Sequence, residues 1–194
     1  TSLGDNTIWF TFTAPADGHV EIKTCGNDFD NFIEVYEEPS DCGDFNTYTI
    51  VDAATDNPFA TCSGTNDPAG LVLCGLMPGN TYYLAVGSES AGNTGIFPLK
   101  LTAIPDAEAG TGTVTQVCSG DMVTLFGALS GNDNGGVWSE IDMTGGLEAN
   151  GVYNTTNLAY IGYDVEYRVT NECSYDSTIV TVSINGPSSA GQDG

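Results

Sequence analysis

Basic side chains are almost missing from this chain. Its 194 residues include three, Lys23, Lys100 and Arg168, against 26 Asp and Glu, for a formal charge of −23. Phosphate contacts are made by Lys and Arg, so the composition argues against nucleic-acid binding and against docking on anionic lipid. Fourteen acids and two bases precede Pro105, and twelve and one lie beyond it. The acidity therefore belongs to the whole chain, and such a charge destabilises a compact state unless ions screen or bind it. Histidine is reduced to His19. A lone histidine just after the turn-forming pair Asp17-Gly18, with no G-x-S-x-G elbow anywhere, gives a Ser–His–Asp mechanism nothing to build on. The expectation is that the chain is not an enzyme. No apolar run of about 20 residues exists to span a bilayer. No basic-then-apolar leader opens the chain either, and Thr1 runs almost at once into strand-like sequence. The start reads as a cut inside a longer polypeptide or just after a removed leader.

Six cysteines are present, with no CxxC spacing. Zinc is poorly supported, and disulfides in an oxidising compartment are the better reading. Cys118 and Cys173 flank Trp138 and are expected to pair. For the other four, Cys25–Cys42 and Cys62–Cys74 are favoured among three connectivities, because neighbours in sequence close small loops. A link from Cys118 to Cys173 would stabilise by roughly 4 kcal/mol in the chain-entropy model.

Short β-like runs separated by Gly, Asn, Asp and Pro fill the chain. In the first half these are Ile8–Thr13, His19–Thr24, Phe32–Tyr36, Thr47–Val51, Phe59–Cys62, Leu71–Cys74, Thr81–Gly87 and Ile96–Ala103. In the second they are Thr113–Val117, Met122–Phe126, Gly136–Ser139, Asp164–Thr170 and Thr178–Ile184. Several alternate, as Val165, Tyr167 and Val169 do with Glu166, Arg168 and Thr170, which is the signature of an antiparallel sheet with one buried face. The expected fold is all-β: two tandem β-sandwich domains, a jelly-roll-like one over residues 1–104 and an immunoglobulin-like one over 105–186. The stretch Pro105 to Gly112 reads as a small-residue linker and boundary. Residues 187–194, with Ala190-Gly191 echoing Ala109-Gly110, read as the start of a further repeat or a linker.

Several loops gather side-chain oxygens of the kind calcium takes. Asn27, Asp28, Asp30 and Asn31 share one, and Asn66 and Asp67 another. Asp28, Asp30, Asn66 and Asp67 are the expected calcium ligands, against the alternative that Asx residues simply favour turns. Trp9, Tyr36, Phe45, Tyr48, Tyr82 and Tyr83 could form a sugar platform, against the simpler reading that they pack the core.

Residues 8–103, through IWFTFTAPADGHVEIKTCG, DFDNFIEVYEE, CSGTNDPAG and LMPGNTYYLAVGSESAGNTGIFPLKL in that order, resemble the bacterial pre-peptidase C-terminal domain. FDNFIEVYEEPSDCG also looks like its relative, the CUB domain. Residues 106–186, through VTQVCSGDMVTLFGALSG, GGVWS and ECSYDSTIVTVSI, resemble the immunoglobulin-like repeats of giant Bacteroidota surface proteins, gliding adhesins among them. These resemblances imply an extracellular or cell-surface protein, often exported by the type IX route, that serves in adhesion, substrate binding or spacing. Asp176-Ser177-Thr178 is similar to the O-glycosylation acceptor of that phylum, which makes Ser177 a candidate. The first family usually sits beside an enzyme, but no peptidase motif is present. The expected function is a non-catalytic fragment of a large modular surface protein, adhesive or structural. The alternatives are a substrate-binding accessory module of a secreted hydrolase, or the subunit of an extracellular filament. Expected partners are neighbouring domains of the same longer chain and glycans or surface proteins, without membrane insertion.

Overall fold

The structure is a computed structural model that describes residues 6–41, 44–56, 62, 68–90 and 92–186. It is all-β, and the chain divides into two compact units, Thr1–Pro105 and Asp106–Gly194. No helix among the described residues is long and apolar enough to cross a membrane.

Among its described residues the first unit has seven strands: β1 Thr7–Thr13, β2 Val20–Lys23, β3 Asn31–Glu37, β4 Ile50–Ala54, β5 Gly70–Leu73, β6 Thr81–Ser88 and β7 Lys100–Ala103. They form one antiparallel sheet in the order β1-β6-β3-β4 and another in the order β5-β2-β7. Period-two alternation builds the core from both. Ile33 and Val35 of β3 and Leu84 and Val86 of β6 meet Val20 and Ile22 of β2 and Leu71 and Leu73 of β5.

Two strands differ from expectation. The run Thr47–Val51 begins instead as a 3-10 turn, Phe45–Thr47, with β4 starting at Ile50. Local side chains bend the chain there. The Asp44 carboxylate accepts the Asn46 amide at 2.9 Å, and the Thr47 hydroxyl donates to the Asp41 carbonyl at 2.9 Å. Of Ile96–Ala103 only Lys100–Ala103 is strand, because Ile96 is pinned outside the ladder by Asp28 and Pro98 has no amide to donate. Residues 59–61 lie outside the described residues.

The second unit carries β8 Thr111–Gly112, β9 Val114–Cys118, β10 Met122–Thr124, β11 Leu129–Ser130, β12 Val137–Glu140, β13 Leu147–Glu148, β14 Val152–Asn154, β15 Gly162–Thr170 and β16 Tyr175–Asn185. The sheets run β12-β15-β16-β9, β10-β14-β13 and β11-β8. All pairs are antiparallel except β9 on β16, which is parallel. Val165, Val180, Val182 and Ile184 pack on Leu125 and Tyr153. Trp138, half-buried, lies against Tyr167 and Phe126, with centroids 4.8 and 5.5 Å away.

The stretch read as a linker is built into this unit. Ala109 is fully buried and packs with Ala107, Tyr167 and Val169. The amides of Ala107, Ala109 and Gly112 donate to the side chains of Ser174, Asp176 and Thr178 at 2.7, 2.9 and 3.0 Å. Small residues are needed here for close approach and not for flexibility. A Cβ on Gly110, which has φ +72°, would sit 2.4 Å from the Ser130 carbonyl oxygen.

The disulfides correct the expected pairing. Cys25 is joined to Cys62, with Cα atoms 5.1 Å apart. Lys23 pairs with Gly70, and the Thr24 amide donates to the Ala69 carbonyl, so the chain leading into β5 passes the end of β2 where Cys25 sits. Cys74 follows the far end of β5 and is disulfide-bonded elsewhere. Cys42 lies outside the described residues. Cys118 is a free, exposed thiol, whereas Cys173 is disulfide-bonded. Strand register shows why these two do not meet. Cys118 pairs with Asn185 at one end of β16, and Cys173 precedes Tyr175 at the other. Ten strand steps separate those ends, about 33 Å, against a Cα spacing of at most about 7 Å for a disulfide.

Candidate ligand-binding face

The sheet β1-β6-β3-β4 has a second face, turned away from the core, and alternation decides what stands on it. Register places Trp9, Ala85, Glu34 and Ala53 in one cross-strand row, with Thr11, Tyr83 and Tyr36 in the next. Four rings collect there. Trp9 lies 5.6 Å from Tyr36 and 5.5 Å from Tyr48, and Tyr48 lies 5.8 Å from Tyr36 and 5.9 Å from Tyr83, centroid to centroid. These tilted and edge-on contacts are of the kind worth about 0.5–1.5 kcal/mol beyond area burial. None of the four belongs to the apolar cluster between the two sheets, whereas Tyr82, one residue from Tyr83, does. Core packing thus holds for Tyr82; Tyr36 is buried as well, but against the other rings and Glu34, and Trp9, Tyr48 and Tyr83 are half-buried. Phe45 is placed by its backbone in the 3-10 turn.

Beside the rings stands a carboxylate that sequence reading missed. Glu34 is 5% exposed, in the middle of a central strand. Its Oε2 accepts the Tyr36 hydroxyl at 2.5 Å. Burial, and then the neighbouring Glu34, push the Tyr36 phenol well above its ordinary pKa, so it remains a donor. A cleft of about 350 Å³ opens next to Glu34 over β3 and β4, lined by Phe32, Glu34, Ala53, Ala54, Thr55 and Asp56 among others. The available signal was alternation in NFIEVYE, which sets Glu34 between Phe32 and Tyr36 on the face opposite Ile33 and Val35.

At one end of this unit lies the loop read for calcium. Asp28 is exposed, and its Oδ1 accepts the Ile96 amide at 2.7 Å while its own amide donates to the Ile96 carbonyl at 3.2 Å. The Asp30 carbonyl accepts from the Glu89 amide at 3.3 Å and the Ser88 hydroxyl at 3.4 Å. Asn27 is 5% exposed, and its Oδ1 has no hydrogen-bond partner. Asn31, fully buried, accepts from Thr24 and the Ala69 amide. Asn66 and Asp67 lie outside the described residues. Among the described residues no three carboxylates come within ligand reach of one another.

His19 is buried, not on the surface. Leu76 covers its turn, donating to the Gly18 carbonyl at 2.9 Å, and the Gly75 amide donates to His19 Nδ1 at 3.1 Å. Ser177 is exposed near the start of β16, cross-strand from Arg168, and its side chain bonds the Glu166 carboxylate. That bond, and then Arg168, hold Glu166 below the usual carboxylate range.

Comparison with known proteins finds no matching family model, no matching curated protein and no matching solved structure.

Proposed function

We propose that this chain is a non-catalytic binding and spacing part of a modular extracellular protein. In this reading the first unit is a jelly-roll-like sandwich and the second an immunoglobulin-like one, in which the early strand β9 joins the last strand β16 in parallel. The observation that carries the reading is the second face of the sheet β1-β6-β3-β4. Its rings and its buried acid beside an open cleft form a surface that the unit's own core does not use. Oxidised cysteines in both units suit an extracellular site. The Ala-Gly pair that opens the second unit recurs at Ala190-Gly191, which supports a repeated module.

The test is retention of beads coated with the full chain on surfaces bearing collagen, mucin, cellulose or chitin. Retention on at least one, reduced by Trp9→Ala or Tyr48→Ala, is expected. No retention anywhere, or retention indifferent to both changes, would contradict the reading. Turnover of a peptide or glycan panel that disappears with His19→Ala would favour the hydrolase alternative instead.

Calcium at the loop 27–31 is a second reading, favoured by the buried, unpartnered Asn27 Oδ1 beside Asp28 and Asp30. Ca²⁺ should then raise the melting temperature above MgCl₂ or NaCl at equal ionic strength, because Mg²⁺ demands tighter geometry. A melting temperature that follows ionic strength alone would remove this reading.

A further inference from the structure

We propose that the cleft over β3 and β4 takes the cationic end of a lysine or arginine side chain from a basic partner, with Glu34 as its counter-ion. The proposal rests on the binding role given to this sheet face and names the chemistry of its ligand.

The starting point is a charge without a partner. Glu34 is at least nine-tenths buried, and among the described residues the Tyr36 hydroxyl on Oε2 is the one hydrogen-bond partner of its side chain. The chain's three bases do not reach it. Lys23 pairs with Glu21 at 2.6 Å, Arg168 belongs to the other unit and pairs with Glu166 at 3.2 Å, and Lys100 is exposed on β7 of the opposite sheet. A carboxylate taken out of water without a cation is destabilising, and Glu34 stands in that position at the wall of a cleft.

The cleft has the chemistry of a cationic side chain. Phe32, Ala53 and Ala54 offer apolar surface for a methylene stem. The ring of Phe32 also suits a cation. It lies across Gly87, where any Cβ would come within 2.7 Å of it. Glu34 at the wall supplies a charge-assisted hydrogen bond, and Asp56 adds a second acid to the lining. At about 350 Å³ the space exceeds one lysine side chain, so the flanking backbone of a partner has room. A chain carrying −23 also steers basic partners toward itself. A neutral saccharide would satisfy the rings but leave the carboxylate uncompensated, which is why the cation is favoured.

The experiment is a titration of the full, isotope-labelled chain, followed by amide NMR shifts at about 150 mM NaCl to screen diffuse attraction. The probes are Nα-acetyl-lysine methylamide, its Nε-acetylated form and cellobiose. The lysine probe should move the amides of Phe32, Glu34, Ala53 and Thr55 saturably, and the Nε-acetylated form should not. Glu34→Gln should weaken binding about tenfold or more, while Asp17→Asn, which removes the same charge from an exposed turn, should leave it unchanged. Relief of the buried charge should also raise the melting temperature of Glu34→Gln, so a lost site is not a lost fold. Tyr36→Phe, which leaves the carboxylate in place, should keep the preference for lysine over its acetylated form. Equal weakening by Glu34→Gln and Asp17→Asn would overturn the proposal. So would cellobiose saturating the same amides while lysine does not, an outcome that leaves the binding role of the face standing. Silence from all three probes would overturn the proposal too, and bead retention lost with Trp9→Ala would still uphold the role of the face.

Discussion

Single acids in this molecule do opposite kinds of work, and their surroundings decide which. Glu140 fastens a turn: its two oxygens accept the Thr144 hydroxyl and the amides of Gly145 and Leu147, each at 2.8 Å. Desolvation pushes its pKa up, but these bonds outweigh that and hold it below the usual range. A depressed folded-state pKa contributes stability above the unfolded value and loses it as pH falls through the folded one. Glu140→Gln should therefore cost about 1–2 kcal/mol at neutral pH. In melts across pH the gap between variant and parent should close below the usual carboxylate range. A gap that persists undiminished in acid would show that shape, not charge, carries the effect. Cys118 gives a second prediction at this scale. An alkylating reagent applied without reductant should label Cys118 and leave Cys25, Cys62, Cys74 and Cys173 unlabelled, as read by peptide mass spectrometry. A crosslinked peptide joining Cys118 to Cys173 would contradict the register of β9 on β16.

At the scale of elements, the segment before β8 shows how far sequence could be read. Composition marked Pro105 to Gly112 as a small-residue linker, and the two compact units divide between Pro105 and Asp106. It could not show that Ala107, Ala109 and Gly112 hang their amides on Ser174, Asp176 and Thr178, because those acceptors are about 65 residues away and their face is set only when β16 pairs. Gly110→Ala should destabilise the second unit by about 1–3 kcal/mol, since it adds a Cβ at positive φ against Ser130. That corresponds to a fall of about 4–8 °C in melting temperature per kcal/mol. An unchanged melt would mean that the segment is the loose linker its composition suggested. Strands with clean alternation, such as β15 and β3, were legible because period two is local information. The two-residue strands β8, β11 and β13 were not, being made by pairing alone. Disulfide pairing failed for the same reason, as sequence nearness says nothing about which strand ends coincide. In the loop 27–31, Asx spacing found the acids but not the bond that commits Asp28 to Ile96.

For the whole molecule, the charge of −23 acts at long range, whereas the proposed binding face acts at contact. Most acids are spread over both units, and Cys25–Cys62 contributes about 4 kcal/mol of chain-entropy stabilisation against their repulsion. Reduction should therefore lower the stability of the first unit more at low salt than at high salt, because screening removes the opposing term. Equal losses in denaturant melts at both ionic strengths would contradict this. The central proposal is narrower: the cationic end of a basic side chain meets the second face of the sheet β1-β6-β3-β4. The chain has two tryptophans, Trp9 on that face and Trp138 inside the second unit. Fluorotryptophan incorporation thus provides one ¹⁹F resonance for each. Trp9 lies against Tyr36, whose hydroxyl rests on Glu34, so an occupant of the cleft changes its surroundings. Titration with Nα-acetyl-lysine methylamide should move the Trp9 resonance saturably and leave that of Trp138 in place. Movement of both together, of Trp138 alone, or of neither would contradict the account.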